Sequence, residues 1–144
     1  MIRKANKEDV YRIAEIEVFN YRLYFYPIFQ NDDYYFNELQ ISNQIFHYNL
    51  DEIYVYDDGV VKGFIQINDF EVKKLFVEPV LHNQKIGSKL LEYGINTFNV
   101  YHLWALEKNT KAISFYKSHG FELTDEMKFV DDTTEYLVQL IRKI

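Results

Sequence analysis

The 144-residue sequence predicts a mixed α/β (α+β) fold: a mostly antiparallel central sheet flanked by helices, with one parallel strand-helix-strand crossover. Three stretches predict it. "EIYVYDDGVVKGFIQI" sets two β-rich runs about Asp57, Asp58 and Gly59, the composition of a hairpin turn. "EVKKLFV" and "VYHLWAL" bracket a helical pattern over Ile86 to Phe98, and a helix of that length is what connects parallel neighbours. "EMKFVDDTTEYLVQLI" closes the chain as a second hairpin.

Taken in order, "MIRKA" reads as a short strand. Asn6 followed by Asp9 resembles a helix cap with an acidic first turn, before Val10, Ile13 and Ala14 on an apolar stripe. The aromatic segment from Phe19 to Leu39 is interrupted by Pro27, and "NDD" offers a second cap before Phe36, Leu39 and Phe46. A helix, a loop and another helix are expected there. The hairpin, a third strand and the Ile86 to Phe98 helix follow, then a fourth strand. "TKAISFYKSHG" puts Ala112, Phe115 and Tyr116 on one helical face, with Gly120 as its stop. The expected order is β, α, α, β, β, β, α, β, α, β, β.

Composition narrows the function. At this length one core is expected, so residues 1–144 read as a single domain. Hydrophobic residues make up 48% and charged residues 26%, a globular balance without a disordered tract. A net charge of -6 opposes nucleic-acid binding, which draws its affinity from cations, and suits a cationic partner. Without cysteine there is neither a disulfide framework nor a thiolate site. No apolar run of membrane length occurs, so a cytoplasmic protein with no membrane partner is expected. His47, His82, His102 and His119 are too scattered for a metal site, and none is expected. An exposed edge on the closing hairpin leaves a homodimer open.

Asn109, Ala112, Phe115, Tyr116, Gly120 and Phe121 spell N-x-x-A-x-x-F-Y-x-x-x-G-F, which resembles the late motif of the GNAT superfamily of acetyl-CoA-dependent N-acetyltransferases. The upstream "LFVEP…IGSKLL" resembles that superfamily's pyrophosphate-binding motif. The two motifs cover the C-terminal half, and the strand order extends the likeness to the whole chain. The resemblance implies a GNAT-like sheet with a β-α-β acyl-CoA-binding crossover, acetyl-CoA as cosubstrate and an amine as acceptor.

The loop entering the Ile86 helix suits that role, because a strand end and an uncapped helix start aim backbone N–H groups at one point. Candidate phosphate contacts are His82, Asn83, Gln84, Lys85, Ile86, Gly87 and Ser88. Only Gly87 matches the family's glycines: His82 stands where Gln or Arg is usual, and Lys85 replaces the first glycine. A β-carbon there costs about 1 kcal/mol if the position needs positive φ. Walker and dinucleotide glycine patterns are absent from the sequence.

The resemblance further implies backbone contacts from Phe76 and Val77 to the pantetheine arm, a contact from Asn109 and a general-acid role for Tyr116. A phenol can return a proton to the departing thiolate. Asn109 also reads as a plain N-cap, and Tyr116 as a core aromatic. Glu71, six residues before Val77, resembles the glutamate base of the histone-acetylating branch, and reads equally as a strand-edge partner of Lys73. Tyr24, Tyr26, Tyr34, Tyr35 and Phe36, with Asp32 and Asp33, are candidates to receive a small cationic acceptor. The competing expectation is a non-catalytic acyl-CoA-binding or interaction module on the same fold.

Overall fold

Asn6 and Asp9 form a reciprocal cap: the Asn6 side chain accepts from Glu8 N–H at 2.9 Å, and the Asp9 carboxylate accepts from Asn6 N–H at 2.9 Å. Helix α1 (Val10–Asn20) follows and buries Ile13, Ile16 and Val18. In the computed structural model, which describes residues 1–82 and 84–143, the helix does not stop at Pro27 as expected. It continues through a π-helical turn, Tyr21–Phe25, into α2 (Tyr26–Phe29). Tyr26 N–H reaches back to the Tyr21 carbonyl, and this wider turn makes room for a ring that would otherwise strike the preceding turn. Gln30, at φ 54°, ends it.

The second expected helix is divided into a π-helical turn (Tyr34–Glu38) and α3 (Ile41–Gln44). Leu39 causes the break: it leaves helical geometry at φ -79°, ψ 88° and is buried in a cluster with Val18 and Tyr35.

Strands β1 (Ile2–Lys4), β2 (Ile53–Asp57), β3 (Val61–Asn68), β4 (Glu71–Val77), β5 (His102–Leu106), β6 (Phe121–Phe129) and β7 (Tyr136–Arg142) form one sheet. Their order is β1-β2-β3-β4-β5-β7-β6. Among the described residues β4 and β5 are the one parallel pair, joined by α4 (Ile86–Phe98) as the sequence predicts. Helix α5 (Thr110–Ser118) connects β5 to β6. One core lies between the sheet and α4 and α5, around Ile65, Leu90, Leu91 and Phe121; a second lies beneath α1, around Ile13, Ile53 and Phe64.

The feature that positions the site is an interruption in the sheet. On the β3 side, Gln66 pairs with Lys74 but Ile67 with Val72, leaving Lys73 as an extra residue in β4. Such a bulge bends and twists its strand. On the β5 side the ladder holds only at Glu71–His102 and Val72–Leu103, and it stops where the bulge begins. Beyond it, Leu75 to Val77 and Trp104 to Leu106 part.

Candidate active site

The parting of β4 from β5 leaves backbone groups without strand partners. Glu78 N–H donates to the Lys62 carbonyl on the β3 side, and Phe76 pairs with Phe64, so by strand alternation Leu75 and Val77 direct their backbone groups toward the gap. The amide and carbonyl of Phe76, expected to face the gap, belong to the β3 ladder, and those of Leu75 face the gap instead. Val77 is also half committed. Its carbonyl accepts from Asn20 Nδ2 at 2.8 Å and His82 Nε2 at 3.1 Å, so what it offers the gap is its N–H.

Two cavities meet at this gap. The first, about 340 Å³, runs between the end of β4, the start of α4 and α5. His82, Lys85, Ile86, Gly87 and Ser88 line it; Gln84 is exposed and off its wall, and Asn83 lies outside the described residues. Among the described residues no side chain caps the start of helix α4, and its Lys89 N–H donates to the Lys85 carbonyl at 3.0 Å. The amides of Ile86, Gly87 and Ser88 precede that bond, on the cavity wall, where a helix start offers donors and positive potential to an anion.

Lys85 adopts the left-handed conformation, φ 63° and ψ 17°, so the position does require what a glycine supplies most cheaply. Gly87 is different. A β-carbon there would lie 3.5 Å from Phe115 Cζ and 3.7 Å from Val77 Cγ2, ordinary contacts, so the protein itself does not demand a glycine. The missing side chain leaves space on the cavity wall.

His82 occupies the expected phosphate position but is employed in structure. Its Nδ1 is 3.0 Å from the Tyr24 hydroxyl, the two rings stack, and its Nε2 donates to Val77. Tyr24, expected on the acceptor side, therefore belongs to the first cavity, where Lys111 lies over its ring at 5.6 Å. Lys111 adds a second cation to that of Lys85 on this wall.

The second cavity, about 700 Å³, opens on the other side of the gap, toward the aromatic segment and the β6–β7 loop. Leu75, Phe76, Asn109, Ala112 and Tyr116 are shared by both walls. Asn109 caps α5, its Oδ1 accepting from Ala112 N–H at 3.3 Å, and this sets the helix so that Tyr116 reaches the junction. Burial pushes the Tyr116 phenol above the ordinary tyrosine value.

Glu71 lies on the wall of the second cavity, with Lys73 Nζ at 3.3 Å. Tyr34 and Tyr35 line it too, while the other acceptor candidates do not: the Tyr26 hydroxyl is bonded to Asp32 at 2.5 Å, Asp33 accepts from Asn37, and Phe36 lies beneath Arg22. Lys73, Lys74, Lys128 and Asp131 complete its charged wall. Asn20, Leu75, Tyr21 and Lys111 escape the sequence motifs. Asn20 and Glu17 left one trace, as polar residues on the buried stripe of α1. Among the described residues no group of three or more His, Cys, Asp or Glu is placed to hold a metal, and no helix is long and apolar enough to cross a membrane.

A sheet opened after a bulge, a helix start on the wall of one cavity and a tyrosine shared with a second cavity are the features around which the site is built. The chain belongs to the acetyltransferase (GNAT) domain family, whose sequence pattern matches residues 49–123. It is 32% identical over 78 residues to the peptidyl-lysine N-acetyltransferase YjaB of Salmonella typhimurium, a match covering 54% of this chain and 53% of that relative. The match thus spans about half the relative's length. The apo solution structure of YjaB from Escherichia coli superposes with a TM-score of 0.78 at 22% identity, covering 98% of this chain and 95% of that one. The PaiA N-acetyltransferase from Thermoplasma acidophilum, crystallised with coenzyme A, superposes with a TM-score of 0.70 at 20% identity, covering 100% and 98%. These two likenesses establish the fold.

Proposed function

We propose that residues 1–144 act as one acetyltransferase domain that moves the acetyl group of acetyl-CoA to a primary amine by direct attack. The observation that carries this reading is the meeting of two cavities at Tyr116, beside the open backbone of Leu75 and Val77. The first cavity offers amides and two lysines to a pyrophosphate. Leu75 and Val77 offer N–H groups to an extended amide-bearing arm. The second cavity admits the amine.

The amine nitrogen bonds to the carbonyl carbon, the carbon–sulfur bond breaks, and sulfur leaves with the bonding pair. The Tyr116 hydroxyl then protonates that sulfur and is reprotonated, through cavity water, by the proton that the acylated nitrogen sheds. Burial holds the phenol protonated at neutral pH, as an acid must be.

The aromatic walls suit an amine on an apolar stem, of the kind a peptide lysine or a small amine presents, with Glu71 and Asp131 set against the charges of Lys73, Lys74 and Lys128. The proposal includes a cytoplasmic setting and no nucleic-acid partner, in keeping with the charge of -6. Calorimetric titration with acetyl-CoA and an amine panel assayed with the wild type and Tyr116→Phe test it. Binding below millimolar ligand and turnover falling about 100-fold in the variant, with binding retained, are expected. No binding at millimolar acetyl-CoA sinks the reading, and unchanged turnover removes the acid role.

A further inference from the structure

An alkyl ammonium must lose a proton before it attacks, and Glu71 is poorly placed to take it. Glu71 precedes Leu75 by four residues, roughly 13 Å along a strand. A second carboxylate lies nearer.

Glu17, on α1, has a relative exposure of 0%. Its Oε1 accepts from Gln44 Nε2 at 2.6 Å and from the Tyr48 hydroxyl at 2.9 Å. Its Oε2 accepts from the Tyr21 hydroxyl at 3.2 Å and meets Lys74 Nζ at 2.8 Å. Taking a carboxylate wholly out of water is costly, and an apolar residue of similar size would fill the same place without that cost. Of its four partners, Tyr21 and Lys74 reach the wall of the second cavity. The Tyr21 ring stacks on Phe25 at 4.8 Å and meets Phe76 edge-on at 5.4 Å; both phenylalanines belong to the walls of both cavities. Tyr21 therefore stands on the acceptor side of the junction, and Lys74 directly precedes Leu75.

Resting on the acetyltransferase reading, we propose that Glu17 accepts the proton of the attacking amine through Tyr21. The ammonium N–H donates to Tyr21 Oη while the Tyr21 proton passes to Glu17 Oε2. Nitrogen keeps the electron pair with which it attacks, Tyr21 is neutral before and after, and Glu17 becomes the neutral acid. Once the amide product leaves, the proton returns by the same path to cavity water. Burial, with the Glu17 charge, pushes the phenols of Tyr21, Tyr34 and Tyr48 upward, which keeps each one a hydrogen donor.

Tyr21→Phe and Tyr48→Phe each remove one hydroxyl from Glu17, but only Tyr21 faces the acceptor. The test is kcat/KM against pH, from 6 to 10, for the wild type, Glu17→Gln, Tyr21→Phe and Tyr48→Phe, using whichever panel amine the wild type acetylates. Thermal melts and acetyl-CoA titrations verify folding and cosubstrate binding. Glu17→Gln and Tyr21→Phe are expected to lose about 100-fold at pH 7 and to recover as pH nears the amine's own pKa, while Tyr48→Phe, which leaves the Tyr21–Glu17 bond in place, is expected to lose less than about 10-fold. A wild-type profile in Tyr21→Phe, or equal losses in Tyr21→Phe and Tyr48→Phe, overturns the relay and leaves the acetyltransferase reading intact. A wild type that acetylates no amine overturns both.

Discussion

The Tyr24 hydroxyl lies 3.0 Å from His82 Nδ1, and the imidazole passes the connection on by donating from Nε2 to the Val77 carbonyl. Through these two bonds the helical turn after α1 is tied to the end of β4 and to the loop that opens α4. His82→Ala is expected to cost about 1–2 kcal/mol, from two lost part-buried hydrogen bonds that leave the Val77 carbonyl with one partner. A melting temperature lowered by several degrees checks it. Tyr24→Phe, which keeps the stacking, is expected to cost less than His82→Ala.

Gly87→Ala separates folding from binding. The added methyl meets only ordinary contacts within the protein and improves helix propensity, so thermal stability is expected to hold or rise by up to about 1 kcal/mol. The same methyl enters the first cavity. Acetyl-CoA affinity measured by calorimetry is therefore expected to fall, and an unchanged Kd removes the loop from the binding site.

Lys85→Gly acts in the same sense on stability by a different cause. Relief of the left-handed conformation is expected to raise stability by up to about 1 kcal/mol. Loss of the ammonium weakens the cavity's attraction for phosphate, so the salt dependence of acetyl-CoA binding is expected to flatten. Titrations at two ionic strengths measure it.

Alkaline pH is expected to unfold the protein cooperatively. Burial raises the phenols of Tyr21, Tyr48 and Tyr116 in the folded state. Above about pH 10 the unfolded chain loses those protons while the folded chain retains them, so stability present below pH 10 declines as pH rises. Each such tyrosine contributes a slope of about 1.4 kcal/mol per pH unit. Urea midpoints measured from pH 8 to 11 are expected to drop steeply beyond 10, and a flat profile contradicts the burial of these hydroxyls.

Much of the molecule is legible in its letters. The helices Ile86–Phe98 and Thr110–Ser118 begin and end as their apolar spacing and the Asn109 and Gly120 signals indicate, because these are local preferences of consecutive residues. Less legible is the turn between β3 and β4, where Asp69 and Phe70 take φ of 48° and 66° with no glycine to announce them. The helix that runs through Pro27 is legible only once the π-helical turn before it is known.

By itself the sequence determined the two hairpins, the parallel crossover and the helix that carries Asn109 at its start and Tyr116 within it. Tertiary structure alone decided where the sheet opens, because the extra residue Lys73 is defined by pairing with β3 and nothing in "EVKKLFV" marks it. It also decided that Tyr24 serves the first cavity and Tyr21 the second. Asn20 reaches a carbonyl 57 residues away, and Glu17 a lysine on β4. Periodicity reports which face of an element is buried; which distant side chain meets it there depends on how the elements pack.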